Sequence, residues 1–315
     1  MAVDHSVDRS GAGPHAEPSS RARKLVRGAY DLHVHVAPDL IRRRIDDVTL
    51  ARRFRDVGLG GFVLKSHYAP TAERAAVVSG VVPGVEVFGA VTLNSAVGGL
   101  NSVVVEVAAR AGARVVWMPT FDAANETAGR VHQPGSGELP VWAQLQHELR
   151  AQGVDTQPIR VIDDTGRLLP EAASVIASIA RNKLVLATGH LSRDEIFAVV
   201  DAALDARVER IVITHPDFPS QDLSALDQMA LASRGAFLER CFTVPHTGRV
   251  SWAQMFERIR ASGVEHSFLS SDLGQLRNPP VEDGLALFAD RMLEAGFGET
   301  AIHTMAVVNT HRVLA

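Results

Sequence analysis

Histidine is the commonest protein ligand for zinc-like ions at neutral pH, and in this chain it recurs where apolar runs end. The stretch Asp31-Leu32-His33-Val34-His35 sets two imidazoles two residues apart. Further along come Lys65-Ser66-His67, Thr188-Gly189-His190, Thr214-His215-Pro216-Asp217, Glu239-Arg240-Cys241 and Ser270-Ser271-Asp272. Residues two apart on a strand share a face, so His33 and His35 are expected to point the same way, with Asp31 below them. Imidazoles with a carboxylate oxygen form a ligand set for zinc or a similar divalent ion. An ion held there lowers the pKa of its water, and Asp272 is suited to take that proton as general base.

The elements that must position these groups form a repeating series. Strand-like runs fall at 29–36, 61–65, 85–93, 113–119, 183–188, 210–214, 236–242 and 266–271. Stretches with helical spacing separate them, at 46–58, 71–80, 101–111, 171–181, 192–207, 222–234 and 250–262, and two more close the chain at 281–296 and 298–313. Thr71 is the expected N-cap of the second helix, and Ser192 with Glu195 forms an expected capping box. Eight strand-then-helix units predict a (β/α)8 TIM barrel, in which chemistry sits at the C-terminal ends of the strands. An open doubly wound sheet is the alternative, weakened by the lack of GxGxxG after the first strand.

Residues 121 to about 170 interrupt the series after strand four. This insertion is expected to hold a loop with His132, a short helix near 140–151 and a hairpin around Asp163-Asp164-Thr165-Gly166. Residues 1–25 read as a flexible tail and 26–315 as one barrel domain.

Bulk composition narrows the function classes. A net charge of -4 implies no broad basic field, so nucleic acid and anionic membranes are not expected partners; a small-molecule substrate is. No apolar run is long enough to span a bilayer, and the N-terminus lacks a secretory h-region. The one cysteine, Cys241, forms no internal disulfide and fits a reducing cytoplasm. Self-association into a homo-oligomer is left open, since no interface pattern shows.

The motifs D-L-H-V-H, A-T-G-H, I-T-H-P and S-S-D, in this order and at these strand ends, resemble those of the amidohydrolase superfamily of metal-dependent hydrolases. The resemblance covers almost the whole chain past the tail. It implies a metal centre of one or two divalent ions, often zinc, with manganese an alternative. His33 and His35 would bind one ion, His190 and His215 would complete a binuclear centre, and Asp272 would bind metal and shuttle protons. The implied activity is attack of an activated water on an amide, cyclic amide or lactone.

One departure stands out. Many binuclear relatives carry a bridging carboxylated lysine or glutamate at the end of strand four, where this chain has Trp117-Met118-Pro119-Thr120. Strand two instead ends in Lys65, which is expected to be carboxylated and bridge two metals, to serve as a substrate-binding cation beside a single metal, or to pair with a carboxylate such as Glu239 inside the barrel. His67, Arg42 and Glu239 are the expected substrate contacts, Arg42 standing for the run Arg42-Arg43-Arg44 above strand one. Two other activities stay open. A decarboxylase or other lyase of the same fold is hinted at by the final V-N-T-H-R-V-L, and a non-catalytic metal- or ligand-binding barrel is the third reading.

Overall fold

The computed structural model describes residues 16–128, 148–149, 151–154, 157–221 and 223–315. Its strands are β1 (Tyr30–Val34), β2 (Gly61–Leu64), β3 (Glu86–Thr92), β4 (Ala113–Trp117), β5 (Val185–Ala187), β6 (Ile211–Ile213), β7 (Phe237–Cys241) and β8 (Ser267–Ser270). They pair in parallel in chain order, each with its successor. The helices are α1 (Ser20–Leu25), α2 (Asp47–Val57), α3 (Ala72–Val81), α4 (Ser102–Arg110), α5 (Ala124–Ala128), α6 (Pro170–Arg181), α7 (Arg193–Asp205) and α8 (Ala225–Ser233). After them come α9 (Thr243–His246), α10 (Trp252–Ser262), α11 (Gly284–Glu294), α12 (Glu299–His303) and α13 (Asn309–Leu314). This is the (β/α)8 barrel that the alternation predicts.

Two apolar layers hold the barrel. Leu32, Val63, Val115, Trp117, Val185, Val212 and Phe268 fill its interior. Alternate strand residues face outward onto the helices, as Phe62 and Leu64 of β2 do toward Leu50 and Phe54 of α2. Phe54 and Phe62 meet edge to face at 5.0 Å. α2 starts where Asp46 accepts the Thr49 N–H and ends at Gly58, whose φ of 81° suits glycine. The Ser192–Glu195 capping box opens α7 as expected. Thr71 precedes α3 without capping it; its hydroxyl donates to Leu64 O at 2.8 Å and so ties the helix to β2.

The β8–β1 seam is closed by few bonds, and they run through the site. Asp272 N donates to His33 O at 2.9 Å and His35 N to Leu273 O at 2.8 Å. Below them Ser271 N donates to Asp31 Oδ1 at 3.0 Å. β1 also carries an extra residue relative to β2 between Asp31 and Val34. This irregularity corrects the expected alternation. Leu32 packs in the barrel interior next to His33, while the Asp31 carboxylate sits in the seam rather than on the face of the histidines.

The N-terminal segment departs from expectation too. Residues 1–15 lie outside the described residues, but residues 20–25 of the expected tail are helix α1. Ser19 caps it, donates to Asp290 of α11 from both N and Oγ, and so docks α1 on the barrel. The turn in the insertion forms as expected. Ile162 and Leu168 bridge antiparallel, with Gly166 N bonded to Asp163 O. His132 and most of the expected helix near 140–151 fall outside the described residues. Among the described residues no helix is long and apolar enough to cross a membrane.

Candidate metal centre

The strand ends bring five of the expected ligands into two adjoining groups. His33 Nε2 and His35 Nε2 each lie 3.2 Å from Asp272 Oδ1, so β1 and β8 aim three donor atoms at one point. His190 Nε2 and His215 Nε2 lie 3.2 Å apart, from β5 and β6. A tetrahedral ion with metal–nitrogen bonds of about 2.05 Å holds two nitrogens roughly 3.3 Å apart. The two groups adjoin, since the His33 and His215 rings stack at 6.1 Å.

The backbone bends to achieve this. His215 and Asp272 adopt φ of 28° and 52°, a region that residues other than glycine rarely occupy and that clusters at functional sites. Two glycines make room. A Cβ on Gly189, before His190, would stand 2.3 Å from Met118 O, and one on Gly274 would stand 1.6 Å from His35 O. The loop that follows β6 is pinned from outside the barrel, where Arg240 and Arg258 clamp Asp217 at 2.8 and 3.1 Å. Arg240 thus faces the helices, opposite to Glu239 and Cys241.

Neighbouring groups orient several of these side chains. Glu239, 1% exposed, accepts from His33 Nδ1 at 3.1 Å, Ser270 Oγ at 3.0 Å and His215 N at 3.2 Å. Both of its oxygens are engaged under the site. Glu239, expected as a substrate contact, bonds His33 and His215 here and leaves His33 Nε2 as the outward atom. Thr243 Oγ1 donates to Asp272 Oδ2 at 3.0 Å and turns Oδ1 toward the histidines. Glu126 of α5 lies 3.3 Å from His190 Nδ1 and accepts from Ser220 Oγ at 2.8 Å. His215 Nδ1 is buried without a partner.

Lys65 ends β2 deep in the site, 3% exposed, with Nζ 2.9 Å from His33 Nε2 and 5.0 Å from the centre of the Trp117 ring. It makes no ion pair with Glu239. Trp117 ends β4 and lines this side of the site. Burial lowers the Lys65 pKa, against the pull of Asp272 and Glu239. Burial likewise holds His35, His67 and His190 below the usual imidazole range and brings His215 to about 3. Around Asp272 burial works upward, but His33, His35 and Lys65 outweigh it and keep the carboxyl well below its usual range. Neutral His35, His190 and His215 beside an ionised Asp272 are in the protonation states a metal requires.

A different trio, His33 Nδ1, Glu239 and Cys241, also comes within ligand reach. Its thiol is pushed up by burial, hence protonated, and Glu239 is already bonded to His33 and Ser270. In this arrangement Glu239 and Cys241 brace His33 from below.

At the mouth, His67 is where expected. Its ring stacks on His35 at 4.8 Å, and Nδ1 pairs with Thr120 Oγ1 at 2.8 Å, which Asn94 also bonds. Arg42, expected as a substrate contact, is exposed, and the buried member of the run is Arg43. Arg43 donates from Nε to Asp39 at 2.6 Å and brings Nη2 to 3.5 Å from His35 Nδ1. Arg43 lies on a loop, and Glu126 and Thr243 lie on the short helices α5 and α9; none carries a periodic signal, and only the spacing Asp39–Arg43 could hint at a pair. The C-terminal V-N-T-H-R-V-L contributes no group to the site: the Asn309 amide ties Val264 O and Ser267 O at the opposite end of β8.

A protein-family model, described as a family of unknown function (DUF6282), matches residues 28–239. The chain belongs to this family. The DUF6282 match runs from before β1 into β7, so it contains every histidine of the centre but not Asp272. No curated protein matches the chain. Among solved structures, it is similar to an amidohydrolase from Pseudomonas aeruginosa, with 12% identity, TM-score 0.62, and 93% of this chain and 98% of that one covered. It is also similar to the probable dipeptidase PvdM of Pseudomonas aeruginosa, with 11% identity, TM-score 0.60, and 93% and 96% covered. A mutant organophosphorus hydrolase from Deinococcus radiodurans gives 15% identity, TM-score 0.52, and 98% and 100% covered. At such identities the likeness is one of fold.

Proposed function

We propose that this DUF6282 protein is a metal-dependent hydrolase of the amidohydrolase superfamily, acting on an amide, cyclic amide or lactone of a small molecule. The observation that carries the reading is the convergence of four imidazole Nε2 atoms and Asp272 Oδ1 in two adjoining groups. His33, His35 and Asp272 would hold one divalent ion and His190 with His215 a second, zinc being the best match to the nitrogen-rich set. Lys65, buried beside His33 Nε2, would supply the shared ligand after its amine adds to carbon dioxide, forming an N–C bond and releasing a proton. Bound metal supplies Lewis acidity to the carbonyl and acidifies water.

The chain's own groups do the rest. The Asp272 carboxylate, oriented by Thr243, takes the proton of the attacking water and returns it to the leaving group. Glu239 keeps the His33 ring fixed, and the apolar barrel interior excludes bulk water from below. His67 stands over His35 to contact substrate. The named hydrolases among the fold relatives favour hydrolysis over decarboxylation, and the buried, unpaired Cys241 fits a reducing cytoplasm.

The test is turnover of an amide, ester and lactone panel by zinc- or manganese-loaded protein, before and after chelation, with carbon dioxide release followed in parallel. Chelator-sensitive hydrolysis, lowered by about 10²–10⁴ in Asp272→Asn, is expected. Carbon dioxide release without hydrolysis, or metal content near two per chain surviving Lys65→Ala, contradicts the reading or its bridge.

A further inference from the structure

The mouth of the site holds polar atoms that the proposed hydrolysis does not use. Asp39 is 2% exposed at its side chain and spends Oδ2 on Arg43 Nε, while its Oδ1 is buried with no partner. The Tyr68 hydroxyl is buried with no partner as well. It lies within electrostatic range of both Asp39 and Arg43, and burial followed by Asp39 pushes its pKa up, so it stays a donor. Among the described residues Arg43 bonds only through Nε and, loosely, Nη2. Buried polar atoms without partners cost about 1–3 kcal/mol each, so a bound group that completes them is favoured by that amount.

These atoms are held ready rather than left loose. The 36–46 loop is tied by Ala37 N to Ile45 O and Arg44 N to Gly274 O. Arg74 fastens it from α3 through Ala37 O and Pro38 O. The tautomer of His35 sharpens the demand. When its Nε2 serves as a ligand, Nδ1 carries the proton, and the Arg43 fork then faces a donor. An anionic oxygen placed at that point would accept from both.

We infer that Arg43, Tyr68 and Asp39 form the recognition subsite for an α-amino-acid end of the substrate, a carboxylate with an N–H on the adjoining carbon. The Arg43 fork and the Tyr68 hydroxyl bind the carboxylate, and Asp39 Oδ1 accepts the N–H. The two oxygens of one carboxylate lie side by side, so the donor that Asp39 Oδ1 needs must sit next to the anion that Arg43 needs. A phosphate dianion fits poorly, since Asp39 already neutralises the one arginine. The N–H belongs either to a free ammonium or to an acylated nitrogen. This subsite rests on the hydrolase reading for its place beside the centre, but its ligand chemistry is tested by binding alone.

The experiment is calorimetric titration of the metal-loaded full chain with four probes: phenylalanine, N-acetylphenylalanine, 3-phenylpropionate and phenylalaninamide, in both enantiomers where chiral. Phenylalanine or N-acetylphenylalanine is expected to bind at least tenfold tighter than 3-phenylpropionate, which lacks the N–H, and than phenylalaninamide, which lacks the carboxylate. Which of the two binds tighter distinguishes ammonium from acylated nitrogen. Arg43→Gln and Tyr68→Phe should each weaken the preferred probe at least tenfold with metal content unchanged, and Arg43→Lys should restore part of the loss. Tyr68→Phe keeps the test decisive if Arg43→Gln does not fold. Equal binding of all four probes, no binding, or unchanged affinity in Tyr68→Phe overturns the subsite. Variant-sensitive binding without turnover of any substrate instead refutes hydrolysis and leaves the subsite standing. Turnover of amides with and without the carboxylate at equal rates does the reverse.

Discussion

Glu239→Gln changes no volume and removes one charge from under the metal centre. In the wild type the carboxylate accepts from His33 Nδ1 at 3.1 Å, from Ser270 Oγ at 3.0 Å and from His215 N at 3.2 Å, with both oxygens used. Glutamine has one acceptor oxygen. If it stays with His33, its NH2 faces the His215 N–H; if it turns to His215, the NH2 faces the His33 Nδ1–H. Either way one charge-assisted hydrogen bond is lost and two donors oppose each other, a cost of roughly 1.5–3 kcal/mol. That corresponds to a weakening of metal binding by about 10–150-fold, in line with the 10–100-fold typical of outer partners of ligating histidines. Competition of the full chain against a chelator of known zinc affinity, read by elemental analysis, measures it. Metal affinity within threefold of wild type would refute the claim that Glu239 sets the His33 ring.

Other outcomes follow from the packing. Phe54→Ala opens a cavity between α2 and β2, where Phe54 is fully buried against Phe62, and should lower unfolding free energy by about 3–5 kcal/mol in urea titrations. Gly189→Ala sets a Cβ 2.3 Å from Met118 O at φ 62°, so it should shift His190 and reduce metal content while far-UV circular dichroism stays near wild type. Asp227, hydrogen-bonded to Arg193 and against the opposing effect of burial, has its pKa lowered to about 2. A depressed carboxyl pKa adds stability above the unfolded value near 3.9, lost as pH falls through about 2. Wild type should therefore exceed Asp227→Asn in urea midpoint above about pH 5, and the two should converge near pH 2.

The barrel was legible because its signals are periodic. Alternating apolar runs and helical spacing repeat eight times, and His33, His35, His190, His215 and Asp272 all sit where those runs stop. Their convergence follows from the fold, because a closed parallel barrel brings every strand end to one rim. What escaped has no period. The extra residue in β1 moved Asp31 into the seam, and nothing in D-L-H-V-H marks it. Arg42 and Arg43 are identical in type, and only the loop conformation buries one beside His35 and exposes the other. Glu239 was expected to face the site; that its oxygens are taken by β1, β6 and β8 partners depends on distances that sequence does not encode. Helix α1 is too short for periodicity and depends on Asp290, far along the chain.

The central claim is that two adjoining ligand groups hold divalent metal. Diffraction from crystals of the zinc-loaded full chain, collected on both sides of the zinc absorption edge, tests it most directly. The account predicts two anomalous peaks, one among His33, His35 and Asp272 and one between His190 and His215, with extra density on Lys65 Nζ. No peak at either position, or one centred on Cys241 and Glu239, would contradict it.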